Sequence, residues 1–246
     1  MRLTVLGACG AWPAAGLACS GYLVEHDGFR LVLDLGYATV PRLLTHLGPA
    51  EVDAVIVSHG HPDHCADLNP LLRARALSDP PAAPLPVFAP HEALDAVLAL
   101  DRPGMLDDAY HLREFPPGAG FTVGPFQVST RLLPHWVPNA GIRLEAGGES
   151  LVYTGDTGPS PLVASLARSA DLLLAEASYV DDVPESAREF LSSATIAARQ
   201  ASDAGVARLV LTHLMPGTPP AAAREAAAAH FTGKIDIAEP GLVILP

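Results

Sequence analysis

Three histidines and an aspartate fall within six consecutive positions, His59-Gly60-His61-Pro62-Asp63-His64. They follow directly on the apolar run Val52 to Val57, with Asp53 inside it. Metal chemistry gives that spacing a reason. Imidazole nitrogen is the commonest protein ligand for zinc, and carboxylate oxygen is its usual companion where a site also holds water. Alternate residues leaving a strand, such as His59 and His61, can point the same way and chelate one ion. Gly60 and Pro62 bend the backbone, which turns Asp63 and His64 toward a second ion beside the first.

Three further residues stand alone just past apolar, strand-like runs: His135, Asp156 and His213. Each by itself reads equally as an edge histidine or a turn aspartate. Together with the loop they complete a ligand count. His59, His61 and His135 would give one ion three imidazoles; Asp63, His64 and His213 would serve the second; Asp156, with two oxygens, can bridge both. Such a shell suits two Zn2+ per chain, although Mn2+ or Fe also occupies nitrogen and oxygen sites.

The elements that must position these residues are readable in outline. Leu3 to Leu6 is a short strand. Gly21 to Glu25 and Phe29 to Asp34 flank an Asp27-Gly28 hairpin signal, and Gly141 to Glu145 and Ser150 to Thr154 flank Gly147-Gly148. Phe121 to Val123, Phe126 to Leu133, Leu85 to Ala89, Asp171 to Ala175, Ala207 to Leu211 and Gly241 to Leu245 complete the strand candidates. Helical stretches are expected at Val40 to Leu47, after Leu68, at His91 to Leu100, from the Ser160-Pro161 start, at Ser192 to Ala204 before Gly205, and at Pro220 to His230. Each half thus carries a hairpin followed by strand–helix alternation, with polar residues collected past strand ends, where layered α/β folds build their sites. Two mixed sheets covered by helices on the outside fit that order.

Composition narrows the function classes. With 15 basic against 27 acidic residues, the formal charge is −12. The chain has no basic cluster, so binding of long nucleic acid is not expected. No run of the sequence has the apolar length of a membrane span, and Met1 to Leu6 meets Gly7 too soon for a targeting segment. Three cysteines, Cys9, Cys19 and Cys65, make an odd number that suits a reducing compartment. The expectation is therefore a cytoplasmic protein, residues 1–246 forming a single domain, acting on a small-molecule substrate, with no membrane partner and with a homodimer compatible with the reading.

These residues resemble the metallo-β-lactamase superfamily. The match lies in H-x-H-x-D-H at His59 to His64, the isolated His135, Asp156 in Tyr-Thr-Gly-Asp-Thr, and His213 in Leu-Thr-His-Leu. The resemblance implies the four-layer αββα sandwich and a dinuclear metal site. It extends to the tRNase Z and cyclic-nucleotide phosphodiesterase branch through Leu6-Gly7, Leu33-Asp34-Leu35-Gly36, Gly-Asp-Thr and Leu174-Ala175-Glu176-Ala177-Ser178. Asp34 and Glu176 would then orient ligating imidazoles. The sequence departs from that branch at Phe190, which matches a position where relatives carry histidine facing the scissile phosphate, and it has no basic arm for gripping tRNA.

The expected activity is hydrolysis of a small phosphodiester, with the two ions generating hydroxide from a shared water. Asp63 is the expected catalytic carboxylate, taking the proton of that water and passing it to the leaving group. The alternatives are an ester or lactone hydrolase on the same site, and a metal-binding protein without turnover. An iron dioxygenase is disfavoured because Asp63, His64 and His213 would be superfluous. The segments Leu77 to Pro90, Asp101 to Arg113 and Val180 to Phe190 are expected to shape the pocket, with Trp136 and Tyr37 on its wall.

Overall fold

Leu31 and Leu33 pack in one core cluster while Val32, between them, packs in another. Leu172 and Leu174 share the first cluster, and Leu173 belongs to a third. This period-two division is what a strand shows when both faces of its sheet are covered. In the computed structural model, which describes residues 1–245, it is repeated across two seven-stranded sheets.

The first sheet contains β1 (Arg2–Gly7), β2 (Gly21–His26), β3 (Phe29–Leu35), β4 (Ala54–Ile56), β5 (Leu85–Pro90) and β6 (Tyr110–Phe115). The second contains β7 (Gly120–Val123), β8 (Phe126–Leu133), β9 (Asn139–Ala146), β10 (Glu149–Tyr153), β11 (Leu172–Glu176), β12 (Arg208–Thr212) and β13 (Lys234–Ile237). The last strand, β14 (Val243–Ile244), returns to the first sheet, giving orders β14-β1-β2-β3-β4-β5-β6 and β13-β12-β11-β10-β9-β8-β7. Both sheets are mixed, with antiparallel hairpins at β2–β3 and β9–β10 and parallel pairs at β3–β4 and β10–β11–β12.

Residues of both sheets, among them Tyr22, Leu33, Phe126, Ile142 and Tyr153, form the central core. The outer face of the first sheet is covered by α1 (Val40–Leu43), α2 (Pro62–Cys65), α3 (Leu68–Ala76) and α4 (Asp95–Leu98). The second is covered by α5 (Pro161–Leu166), α6 (Ala194–Ala204) and α7 (Pro220–Ala228). The result is the expected αββα sandwich. Among the described residues no helix is long and apolar enough to cross a membrane.

Several boundaries differ from the sequence reading. The helices expected at Val40 to Leu47 and His91 to Leu100 shrink to the four residues of α1 and of α4. In contrast, α6 starts where Ser193 Oγ accepts from the Ile196 amide at 3.3 Å and ends at Gly205 in left-handed backbone. The segment Asp101 to Arg113, read as a loop, ends in β6, an edge strand paired with β5. Strand β13, pairing parallel to β12, was not expected at all.

Candidate metal centre

The parallel arrangement sets the ends of β3, β4, β10, β11 and β12 at one edge, and β8 ends there too because β9 reverses between it and β10. Every candidate site residue comes from just past one of these ends. The loop after β4 carries His59 and His61; α2 carries Asp63 and His64; His135, Asp156 and His213 follow β8, β10 and β12. The Ala140 amide donates to the Ser58 carbonyl at 2.9 Å, fastening the two sheets together beside the site. Two close approaches demand glycine. A Cβ on Gly36 would stand 1.8 Å from the Asp63 carbonyl oxygen, and one on Gly155, at φ +58°, would stand 2.2 Å from Asn139 Oδ1.

All seven predicted residues converge into two sets. His59, His61, His135 and Asp156 form one, Asp63, His64, Asp156 and His213 the other, and the donor atoms of each lie within 4.8 Å of one another. In the first, His61 Nδ1 stands 3.2 Å from His59 Nε2 and 3.0 Å from His135 Nε2. In the second, His213 Nε2 stands 3.2 Å from Asp63 Oδ2, and His64 Nε2 is 3.7 Å from the same oxygen. Asp156 belongs to both. Its Oδ2 lies 3.9 Å from His59 Nε2, 3.9 Å from His135 Nε2 and 3.3 Å from His213 Nε2, while its Oδ1 lies 3.2 Å from His64 Nε2.

Ligands bound at about 2.0–2.1 Å around a tetrahedral cation stand roughly 3.3–3.4 Å from one another, so these separations suit a shared ion. Two buried atoms make the fit sharper. His64 Nε2 and Asp156 Oδ1 have no hydrogen-bond partner, and a buried polar atom left so is costly. A cation between them would satisfy both.

The opposite side of four of the five imidazoles is held by hydrogen bonds that fix the tautomer; His61 faces the set through Nδ1 instead. His64 Nδ1 donates to Asp34 Oδ2 at 2.7 Å. His59 Nδ1 donates to Ser58 Oγ at 3.0 Å, and that hydroxyl donates to Asp34 Oδ2 at 2.8 Å. His213 Nδ1 donates to Ser178 Oγ at 3.0 Å, which in turn donates to Glu176 Oε1 at 2.7 Å. His135 Nδ1 donates to the Phe190 carbonyl at 2.9 Å. In every one of these rings it is Nε2 that faces the donor set, so the neutral ring offers its lone pair there, the form a metal requires. Asp34 therefore orients imidazoles as expected, and Glu176 does so through Ser178. Asp34 and His213 both adopt left-handed backbone, at φ +56° and +59°, a strain that persists only where the surroundings enforce it.

The electrostatics agree with this division. Burial, reinforced by His64, holds His59 well below its ordinary pKa, and burial likewise lowers His61 and His135. Burial also opposes charge on His64 and His213, but the surrounding carboxylates, Asp156 with Asp34 for His64 and Asp156 with Asp63 for His213, together outweigh it and raise both. Asp63 is pushed up by burial yet held at about 2 by its bond to His213 and the charge of His64. Burial and then Asp156 push Glu176 up to about 8. The Thr157 and Ser192 amides and the Ser178 hydroxyl oppose that push by donating to it.

The residues that sequence reasoning missed are those behind the donors. Ser58 stands outside the motifs, and Ser178 and Tyr153, whose hydroxyl donates to Asp34 Oδ2 at 2.7 Å, lie within them but were given no role of their own. Asn139 donates to the Thr154 and Asp156 carbonyls at 3.0 and 2.7 Å, fixing the turn that presents Asp156. Cys65 is buried, with its thiol 3.7 Å from the Gly60 carbonyl. His91 pairs on the surface with Glu114 at 2.8 Å. Trp136 stands beside His135 with ring centroids 5.1 Å apart, and Tyr37 is partly exposed.

A beta-lactamase superfamily domain matches residues 27–214. The probable metallo-hydrolase YhfI of Bacillus subtilis is 30% identical over 248 residues, covering 99% of each chain. The crystal structure of that protein superposes with a TM-score of 0.91 over 99% of both chains. A ribonuclease Z from Mycobacterium bovis is 29% identical over 96% of this chain and 95% of its own. A diphosphatase of the PhnP family, at 16% identity, shares the fold with a TM-score of 0.77 over 100% of this chain and 97% of its own. The chain belongs to the beta-lactamase superfamily and groups with its metallo-hydrolases.

Proposed function

We propose that this superfamily member is a dinuclear zinc hydrolase that cleaves a small phosphodiester, with residues 1–246 acting as one catalytic unit. The observation that carries the reading is the pair of donor sets joined through Asp156, three imidazoles on one side and two imidazoles with Asp63 on the other. The nitrogen and oxygen donors suit Zn2+, with Mn2+ or Fe as the other occupants the same chemistry admits. Bound there, such ions would supply a water acidic enough to ionise near neutral pH and a Lewis acid for the group under attack.

The chain's own residues supply the rest. Asp63, ionised at neutral pH with a pKa near 2, is placed to accept a proton on its carboxylate and return it to the leaving oxygen. Asp34, Ser58, Ser178, Glu176 and the Phe190 carbonyl hold the imidazoles in position before substrate arrives, so no reorganisation is required during reaction. With phenylalanine at 190 there is no imidazole at that position to protonate the leaving group, which leaves that duty to Asp63 or to water held at the metals.

The phosphodiester assignment is supported by the likeness to a ribonuclease Z. The charge of −12 disfavours a long nucleic acid as substrate, so a small molecule is the better candidate. A cytoplasmic setting fits the three buried, free cysteines. The test is turnover by metal-loaded protein of bis(p-nitrophenyl) phosphate against p-nitrophenyl acetate and a simple lactone. Preferential cleavage of the phosphodiester is expected. Turnover confined to the ester or lactone would replace the reading with an acyl hydrolase.

A further inference from the structure

The segment joining β1 to β2 runs against the second donor set and is firmly tied down. The Ala8 and Cys9 amides donate to the Ala18 carbonyl at 3.0 and 2.9 Å, and the Gly10 amide donates to the Leu214 carbonyl, next to His213, at 2.9 Å. Arg42 of α1 donates to the Gly16 carbonyl farther along. Between these ties the backbone at Ala11 is unusual. The Trp12 amide donates across it to the Gly10 carbonyl at 2.7 Å, and its φ is +60°. A three-residue turn with positive φ at its centre is rare and strained, and strain of this kind persists where the surroundings enforce it and gathers at functional sites. The turn aims the Ala11 N–H at His213 Nε2, 3.4 Å away. That nitrogen is the one facing Asp63 Oδ2 at 3.2 Å and Asp156 Oδ2 at 3.3 Å. Ala11 is exposed whereas His213 is buried, so the amide stands between the donor set and solvent. Among the described residues, His213 Nε2 is the only acceptor this amide has. One lone pair cannot both accept a hydrogen bond and ligate a cation. An ion on Nε2 would therefore release the N–H at the edge of the donor set, with its neighbours still fixed.

We propose that the Ala11 main-chain amide is an oxyanion donor of this site, hydrogen-bonding an anionic oxygen of the phosphoryl group under attack once His213 Nε2 is engaged. The proposal rests on the phosphodiester reading for that group, and on the turn at Ala11 for the donor. A backbone N–H suits the task because it favours negative charge on the oxygen it meets, and a donor already fixed in place needs no reorganisation as that charge develops. The strained turn then has a use: it presents toward the donors an amide that an ordinary loop would turn to solvent.

The first test is NMR of protein labelled at its alanine amides, with the Ala11 signal identified by its absence in Ala11→Gly. Zinc is expected to shift this signal as His213 Nε2 is withdrawn from it. Inorganic phosphate added to the zinc-loaded protein should shift it again, saturably and downfield, as a strong hydrogen bond forms. The second test replaces Ala11 with lactic acid by nonsense suppression, which exchanges the N–H for an ester oxygen and keeps the methyl group. Phosphate affinity by calorimetry should then fall about 10–100-fold, the range for a hydrogen bond to a charged group, with zinc content unchanged. An Ala11 signal that phosphate leaves in place would overturn the proposal, as would undiminished phosphate affinity in the ester variant. Loss of zinc from that variant would assign the amide to the support of His213 and overturn it too. Should the ester variant fail to fold, the phosphate shift in the wild type decides alone. A phosphate shift and an affinity loss, in a protein that cleaves p-nitrophenyl acetate but no phosphodiester, would uphold the donor and refute the phosphodiester reading.

Discussion

Asp34 accepts the Nδ1 proton of His64 at 2.7 Å, and through the Ser58 hydroxyl it also governs His59, so that one buried carboxylate orients an imidazole in each donor set. Tyr153 donates to the same oxygen and the Ser58 amide to the other. Asp34→Asn keeps the shape but replaces one acceptor oxygen with an amide that competes with these donors. Metal affinity should fall by about 10–100-fold, measured by competition with a chelator. Unchanged affinity would show that His64 and His59 need no such orientation.

Tyr153→Phe removes one of those donors without opening a cavity. A stability loss of about 1–2 kcal/mol is expected, read as a lower midpoint in urea with an unchanged slope. A neutral result would mean that the Tyr153 hydroxyl contributes nothing net to holding Asp34.

Asp63→Asn tests the proton-transfer role. Activity should fall by about 10²-fold or more, while zinc content drops only in part because His64, His213 and Asp156 remain. Full activity in this variant would remove Asp63 from the mechanism.

Ser178→Ala cuts the link by which Glu176 acts on His213, leaving the imidazole free to change tautomer or rotate. Loss of zinc should be selective for the set containing His213, giving close to one ion per chain after dialysis, with Ser178→Thr restoring the second. Retention of both ions by Ser178→Ala would reduce Ser178 to a space-filling residue.

Metal binding should release protons. In the metal-free chain the carboxylates around His64 and His213 raise both above the ordinary histidine value, so a cation competes with protons for their Nε2 atoms. Affinity therefore falls as pH falls, and zinc added to weakly buffered apoprotein at pH 7 should acidify it. Absence of proton release would mean that these imidazoles are already neutral.

The donors were legible in the sequence because metal ligation needs particular residue types: four of them crowd into His59 to His64, and the rest sit singly past apolar runs. The hairpins were legible through Asp27-Gly28 and Gly147-Gly148, whose backbone the turns demand. What supports the donors was largely not legible. Ser58 and Ser178 look like any loop serine, and the Phe190 contact uses a backbone carbonyl that every residue has. Phe190 was marked for its side chain, yet its carbonyl is what fixes His135. Strands β6 and β13 escaped notice because charged and polar residues interrupt them, as in Tyr110–Phe115, which is mostly uncovered, and Lys234–Ile237. The four-residue helices were overextended because one apolar face says nothing about where tertiary packing stops it.

The central claim is that two ions share Asp156. Elemental analysis of purified wild-type protein beside His61→Ala and His213→Ala addresses it most directly. The account predicts close to two zinc ions in the wild type and close to one in each variant, because each substitution strips a different donor set. A single ion in the wild type, lost entirely in one variant and untouched in the other, would contradict it.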